Sequence, residues 1–250
     1  MSTFVPPNPP WRLCSDSSGN VWAPSHEVVY EYAHGGTSPI QTLNAQGLFM
    51  SACAVDPTTG NLAVIGNGRS SGTFILAIWA KGQGTPTTYA LPFVGSSVTY
   101  DDSGNLFVDG NTDSQSFLFA ELPKGGSTFQ NVTLDRPARW PGNLQWDGNY
   151  LALATLNLTE PQGQKHLVYR VKVSGSSGHV VKTIVFKHEL PFLGSWIYAN
   201  TLIGVLSSNE NNLAFWHYPT GGKPFQKLTG FTDPLGITVS VAPPRSRIRK

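Results

Sequence analysis

Two histidines in this chain each precede a glutamate, His26-Glu27 and His188-Glu189, and an imidazole beside a carboxylate is the smallest unit of general acid–base chemistry. Neighbouring residues on an extended strand point to opposite sides, which counts against either pair acting as a unit. A second set, Asp109 with Asn67, Asn111 and Glu210, offers the carboxylate and amide oxygens that a divalent cation takes as ligands, at a spacing that demands no metal. Asp109, Glu189 and Glu210 also form a trio of acids of the kind a glycoside-cleaving axis uses, without local sequence to support that chemistry. Arg69, Arg139 and Trp140 add guanidinium and aromatic surface suited to a small polar ligand such as a sugar. A Gly-rich phosphate loop, zinc-type Cys/His spacing and a G-x-S-x-G nucleophile turn are all absent from the sequence.

What must position these residues is a repeat, seen most cleanly in residues 51–91. Gly-Asn after an Asp or Ser run recurs at Gly19-Asn20, Gly60-Asn61, Gly104-Asn105 and Gly148-Asn149, with Asn200 as a weaker fifth. An aromatic strand ending in Gly follows each one: Tyr30–Gly36, Ile78–Gly82, Phe119–Gly126, Tyr169–Gly175 and Phe215–Gly222. Short apolar runs rich in Val, Ile, Phe, Tyr and Trp lie between, and no amphipathic helix is evident. A period in the forties with four strands per unit is the signature of β-propeller blades, whose twisted sheets bury their faces against one another in series. The Asp of each turn bonds local backbone and Gly takes positive φ, so Asp16, Asp56, Asp101, Asp102 and Asp147 read as structural. Residues that break the repeat are the informative ones. On the face formed by the second-to-third-strand connections and the segments entering each blade, the candidates are Asn67, Arg69, Asp109, Asn111, Arg139, Trp140, His188 and Glu189.

The chain is 250 residues long with 26 Gly, 19 Pro and only 13% charged residues, the composition of strands and turns in one large all-β domain. Seven Trp and thirteen Phe exclude a disordered chain. The formal charge of +2 hides an asymmetry, because Arg245, Arg247, Arg249 and Lys250 crowd the C-terminus and the rest of the chain has an acidic surplus. No specific nucleic-acid partner is expected, and the basic end reads as a solvated tail. No apolar run is long enough for a membrane helix, and Met1–Pro10 lacks the basic start and hydrophobic centre of a secretion signal. That pattern fits a cytoplasmic chain, or a secreted one whose leader lies upstream of Met1. Cys14 and Cys53 sit on apolar strands before turn acids, one step out of phase with each other. That phase argues against a bridge without forbidding it.

The D-x-x-G-N turn, a short strand and an aromatic strand ending in GG resemble the NHL, streptogramin-lyase and gluconolactonase-like superfamily of propellers. The wording CAVDPTTGNLAV, FAELPKGGSTF and WDGNYLAL is closer still to propellers from soil-bacterial genomes. The resemblance implies architecture, not an activity. The register of the repeat gives one β-propeller domain over residues 1–250, with five complete blades at about 11–50, 51–95, 96–142, 143–194 and 195–235, a closing strand at 236–242 and a basic tail at 243–250. The alternative is an N-terminally shortened six-bladed ring with an open wedge.

For function, the leading expectation is a non-catalytic scaffold or binding module that takes a small polar ligand or another protein on its loop-rich face, without a cofactor. One alternative is a metal-dependent lactonase-like or lyase-like enzyme, with a divalent cation at the propeller mouth. The other is a self-assembling protein associating through the C-terminal strand region.

Overall fold

The repeated turn explains itself at the level of hydrogen bonds. Asp56 Oδ1 accepts Thr58 N and Thr58 Oγ1, both at 2.8 Å, and Oδ2 accepts Thr59 Oγ1 at 2.5 Å. Burial pushes the pKa of Asp56 up, but the bonds from Thr59 and Thr58 outweigh it and hold the carboxyl below its ordinary range. Asp16 and Asp101 each accept two backbone N–H groups in the same way. In blades two and three the Asn after the Gly reaches across its own sheet: Asn61 Oδ1 accepts Lys81 N at 3.0 Å and Asn105 Oδ1 accepts Lys124 N at 3.1 Å. The two anchors of the repeat recur together because in these two units one staples the other.

A computed structural model describes residues 12–45, 47–68, 72–112, 116–157, 165–187, 192–206 and 211–242. Their strands form five sheets, each built on a four-stranded antiparallel meander taken in chain order. Blade one contains β1 (Cys14–Ser15), β2 (Val21–Ser25), β3 (Val28–Tyr32) and β4 (Pro39–Asn44). Blade two contains β5 (Leu48–Val55), β6 (Leu62–Gly68), β7 (Phe74–Trp79) and β8 (Thr87–Ala90). Blade three contains β9 (Val94–Tyr100), β10 (Leu106–Asn111), β11 (Phe117–Leu122) and β12 (Gln130–Asn131). Immediately afterwards β13 (Thr133–Leu134) crosses to the next sheet, where it lies parallel to β17. Blade four is β14 (Pro141–Trp146), β15 (Leu151–Asn157), β16 (Lys165–Ser174) and β17 (Ser177–Phe186). Blade five is β18 (Phe192–Tyr198), β19 (Thr201–Leu206), β20 (Leu213–His217) and β21 (Gln226–Leu228).

Strand alternation sends every second residue of a blade toward the preceding blade and the others toward the next. Leu62 and Val64 of β6 join Trp22, Val29 and Trp79 in the seam with blade one, whereas Ala63 and Ile65 join Leu106, Val108 and Tyr100 in the seam with blade three. Blades three and four close over Phe107, Phe119, Leu151 and Tyr169, and blades four and five over Ile184, Phe186, Leu202 and Trp216. The seam between blades five and one is made differently. Leu235 and Gly236 pass beside Gly194 of β18, and the chain then runs along blade one. There Ser15 Oγ donates to Val239 O at 3.0 Å, and Ser240 Oγ donates to Gly19 O while contacting His34 Nδ1. The segment 236–242 therefore lies where a closing strand was expected, but side chains rather than a backbone ladder hold it.

Cys14 and Cys53 form a disulfide between blades one and two, with Cα atoms 5.6 Å apart. The phase argument from sequence pointed the wrong way. Cys14 pairs with Trp22, which faces blade two, and Cys53 pairs with Val64, which faces blade one. The one-step difference is what turns the two sulfurs toward each other across the seam.

Candidate functional site at the propeller axis

Counting back from each turn places Arg12, Ala52, Ser97, Asn143 and Gly194 at equivalent positions on the five inner strands. Four of them are small or neutral. Arg12 is the exception, and its side chain crosses the ring: Nη1 donates to Asn143 Oδ1 of blade four at 3.2 Å, and Nη2 to Ser96 Oγ of blade three at 3.5 Å.

Asp109 of β10 stands beside this crossing. Its Oδ1 accepts Ser97 N at 2.9 Å and Ser97 Oγ at 2.5 Å, while Oδ2 has no hydrogen-bond partner among the described residues. The residue is 0% exposed. Burial pushes its pKa up to about 6, against the opposing pull of Ser97 and of the Arg12 charge. The equivalent positions of the other blades are Pro24, Ile65, Ala154 and Val205. An aliphatic side chain therefore suits this place in the repeat, and blade three alone puts a carboxyl there. Gly110, next in the chain, permits the local bulge: a Cβ there would lie 2.0 Å from Val94 O.

Below the crossing, Ser97, Thr99, Asn143, Gln145, Trp146 and Trp196 line a cavity of about 200 Å³. Amide side chains stitch its wall where inner strands diverge too far to share a ladder. Gln145 Nε2 donates to Ile197 O at 2.8 Å, and its Oε1 accepts Ile197 N at 2.7 Å. Asn143 Nδ2 donates to Ser195 O at 2.7 Å. Trp146 Nε1 is buried and has no partner among the described residues.

The sequence candidates separate clearly. Asp109 is fully buried on β10, bonded to Ser97 of the inner strand. Asn67 and Asn111 end β6 and β10 on the same face, Asn111 bonding Thr112 O and Asn67 Oδ1 buried without a partner among the described residues. Arg139 is exposed and is held by its backbone N–H on Thr155 Oγ1, and Trp140 beside it is half-buried. Arg69, His188, Glu189 and Glu210 lie outside the described residues. His26 and Glu27 form a turn: His26 has φ of 52°, its ring lies edge-on to Phe49 at 4.5 Å, and Glu27 O accepts Ala45 N. With Leu48 and Phe49 they border a second depression, about 290 Å³, on the rim. Among the described residues no three His, Cys, Asp or Glu side chains gather as a metal site. No described helix is long and apolar enough to cross a membrane.

Arg12 was not among the candidates. It precedes the first strand, and its partners lie 131 and 84 positions away. The available signal was a charged residue two places before Cys14, where the other blades place Ala52, Ser97, Asn143 and Gly194.

Five radial sheets around an axis define this protein as a five-bladed β-propeller. The chain is similar to a propeller from the crystal structure of a nidogen/laminin complex, with a TM-score of 0.69 at 13% identity, over 92% of this chain and 84% of that one. It is also similar to the WD40 repeats of RRP9, with a TM-score of 0.56 at 8% identity, over 90% of this chain and 64% of that one. U3-55K gives a TM-score of 0.56 at 8% identity, over 92% and 70% of the two chains. At these identities the likeness establishes the fold. No protein-family model matches the chain. No curated protein matches it either.

Proposed function

We propose that the chain is a non-catalytic binding module that takes a small polar ligand or a protein segment on the face bearing Asn67, Asp109, Asn111, Arg139 and Trp140, with Arg69, His188 and Glu189 as further candidates on the same connections. One observation carries this reading, that two departures from the blade repeat bear on the inner strands: Arg12 bonds Asn143 across the ring and Asp109 is bonded to Ser97 of an inner strand, whereas the regular acids are consumed by turns. A polar cluster set in an apolar scaffold is how propeller mouths and other concave sites fix an orientation. The solved nidogen/laminin complex is in keeping with a propeller used for contact with a partner.

The test is a thermal-shift series with D-glucose, glycine, citrate and spermidine as neutral, zwitterionic, anionic and cationic probes. A rise in Tm with one of them, lost in an Asn111→Ala/Arg139→Ala/Trp140→Ala variant and kept in a Lys81→Ala/Lys124→Ala control, supports the reading. Hydrolysis of D-glucono-1,5-lactone above the buffer rate overturns its non-catalytic part.

A second reading is self-association at the seam between blades five and one. Tyr198 and Phe225 of blade five and Val241 of the segment after it are exposed, and Phe225 stacks on His217 at 4.5 Å. A mass by light scattering that rises with concentration, and falls in Tyr198→Ser/Phe225→Ser, supports it. A monomer at every concentration removes it.

A further inference from the structure

We propose that the outer edge of blade four, the stretch of β17 from Val180 to Val185, takes up an extended acidic peptide of a partner protein as an added strand. This surface is separate from the axial mouth and does not depend on the reading above.

The first argument is what already pairs with that edge. Two short pieces of this chain lie on it, both parallel to β17: Thr133 and Leu134 of β13 beside Ser177 and Gly178, and Gly222 beside Phe186. Their bonds show which residues of the strand turn their backbone outward. Gly178 O accepts Asp135 N, Val180 N donates to Asp135 Oδ1, Val185 O accepts Gly222 N, and Lys187 N donates to Gly222 O. Backbone groups alternate sides along a strand, so Thr183, two places before Val185, presents its N–H and C=O on the same outer side. Among the described residues nothing pairs with this edge between its two occupied ends. An added strand of about four residues spans the gap at ~3.3 Å per residue.

Side chains then choose the occupant. Val181 and Val185 are 41% and 38% exposed, whereas Val180, Ile184 and Phe186 of the same strand are buried in the seams. Exposed aliphatic side chains on an open edge are the surface that a pairing strand covers. The charge around them has one sign. Lys182 and Lys187 after Val181 and Phe186, Lys172 on the neighbouring β16 and Arg136 after β13 are all exposed. The described acids between Thr133 and Lys187 are already bonded, Asp135 to Val180 N and His179, and Asp147 to Arg170 and Tyr218. Lysines on an edge guard a sheet against pairing with its own kind, because a second copy brings the same charges to the ladder. A strand with acidic side chains meets them with the opposite charge, which is the favourable cross-strand pairing.

Fluorescence polarisation of the full chain with the labelled peptide Glu-Val-Thr-Val-Glu-Val-Asp tests this. One comparator has lysine for every acid, and the other is heptaglutamate, which keeps the charge without the preference for strands. The expected result is binding of the first peptide, at least tenfold weaker binding of both comparators, and at least a tenfold loss in Lys182→Glu/Lys187→Glu. Thr183→Pro removes an outward N–H that the ladder with β16 does not use, and it is expected to show the same loss while Thr183→Ser binds as the wild type does. Should Thr183→Pro fail to fold, the charge reversal, made only at exposed side chains, decides. Absence of binding, comparators that bind equally well, or affinity kept in either folded variant overturns the proposal, and the last result assigns the peptide to another basic surface such as Arg245–Lys250. Dimerisation of the free chain that disappears in Thr183→Pro assigns the edge to a second copy and overturns it as well.

Discussion

Arg12 Nη1 lies 3.2 Å from Asn143 Oδ1, a bond that joins the first blade to the fourth across the axis. In a five-bladed ring these sheets are not neighbours, so the contact belongs to the channel itself. It also steadies a weak element. β1 is two residues long and pairs with β2 at only Cys14 and Ser15, and its remaining restraints are the disulfide, the C-terminal segment and Arg12.

Arg12→Ala removes both cross-axis bonds and the countercharge of Asp109. A loss of about 1–3 kcal/mol is expected in urea unfolding, because the partners are left unpaired in a partly buried setting. Arg136→Ala, at an exposed position, is expected to stay within about 0.5 kcal/mol. Equal midpoints for the two variants would show that the crossing bears no load.

The pH dependence has a definite sign. A carboxyl whose folded pKa is about 6 binds its proton more tightly in the folded chain than in the unfolded one, where the value is ~3.9. Below the unfolded value both states are protonated and the group contributes nothing. As pH rises through the window up to about 6 the fold loses on the order of 2–3 kcal/mol from this residue. Asp109→Asn removes that dependence, so the difference in stability between variant and wild type should grow from pH 4 to pH 7. A difference that is flat across this range contradicts the buried, raised carboxyl.

The Cys14–Cys53 bridge closes a loop of 39 positions. A Cys14→Ser/Cys53→Ser chain is expected to lose roughly 2–4 kcal/mol. Reduction of the wild type with a dithiol should bring its urea midpoint toward that of the variant. A wild-type midpoint that ignores the reductant under denaturing exposure would mean that the thiols are not joined.

Asn61→Ala tests the staple between the two anchors of the repeat. Its side chain accepts a bond from the backbone of Lys81, at an exposed turn, so the expected cost is about 0.5–1.5 kcal/mol. Asn105→Ala removes the equivalent bond to Lys124 and also the one its Nδ2 donates to Asp101 Oδ2 at 2.9 Å, so it should cost more, and the two losses should couple because Lys124 Nζ donates to Thr58 Oγ1 in the turn that carries Asn61.

Local chemistry was legible in the sequence, and long-range chemistry was not. Asp56, Gly60 and Asn61 announce a turn because their partners lie within a few residues or one hairpin, and counting the copies was enough to set them aside as structural. Asp109 stood out because it breaks that count. Arg12 is marked in the sequence only by its charge at a place where the other blades carry Ala52, Ser97, Asn143 and Gly194, and its partners depend on how the inner strands meet, which no spacing encodes. Cys14 and Cys53 show the remaining gap. Their phase was read correctly, but its consequence depends on which face of each blade meets its neighbour, and only the alternation of Trp22 and Val64 about the seam decides that. The last segment was placed beside blade one from order alone, and what the order could not show is that side chains of Ser15, His34 and Ser240 hold it there.

The central claim, a polar ligand site at the axis, is tested most directly by nuclear magnetic resonance of the ¹⁵N-labelled chain during titration with D-glucose, glycine, citrate and spermidine in turn. The predicted result is movement, with one of them, of the Arg12 Nε–H signal and of the Trp146 and Trp196 indole signals, whose side chains line the channel, while the indoles of Trp79 and Trp216, sealed between blades, stay fixed. Signals that remain in place at the axis throughout all four titrations, or that move only for the sealed indoles, would contradict it.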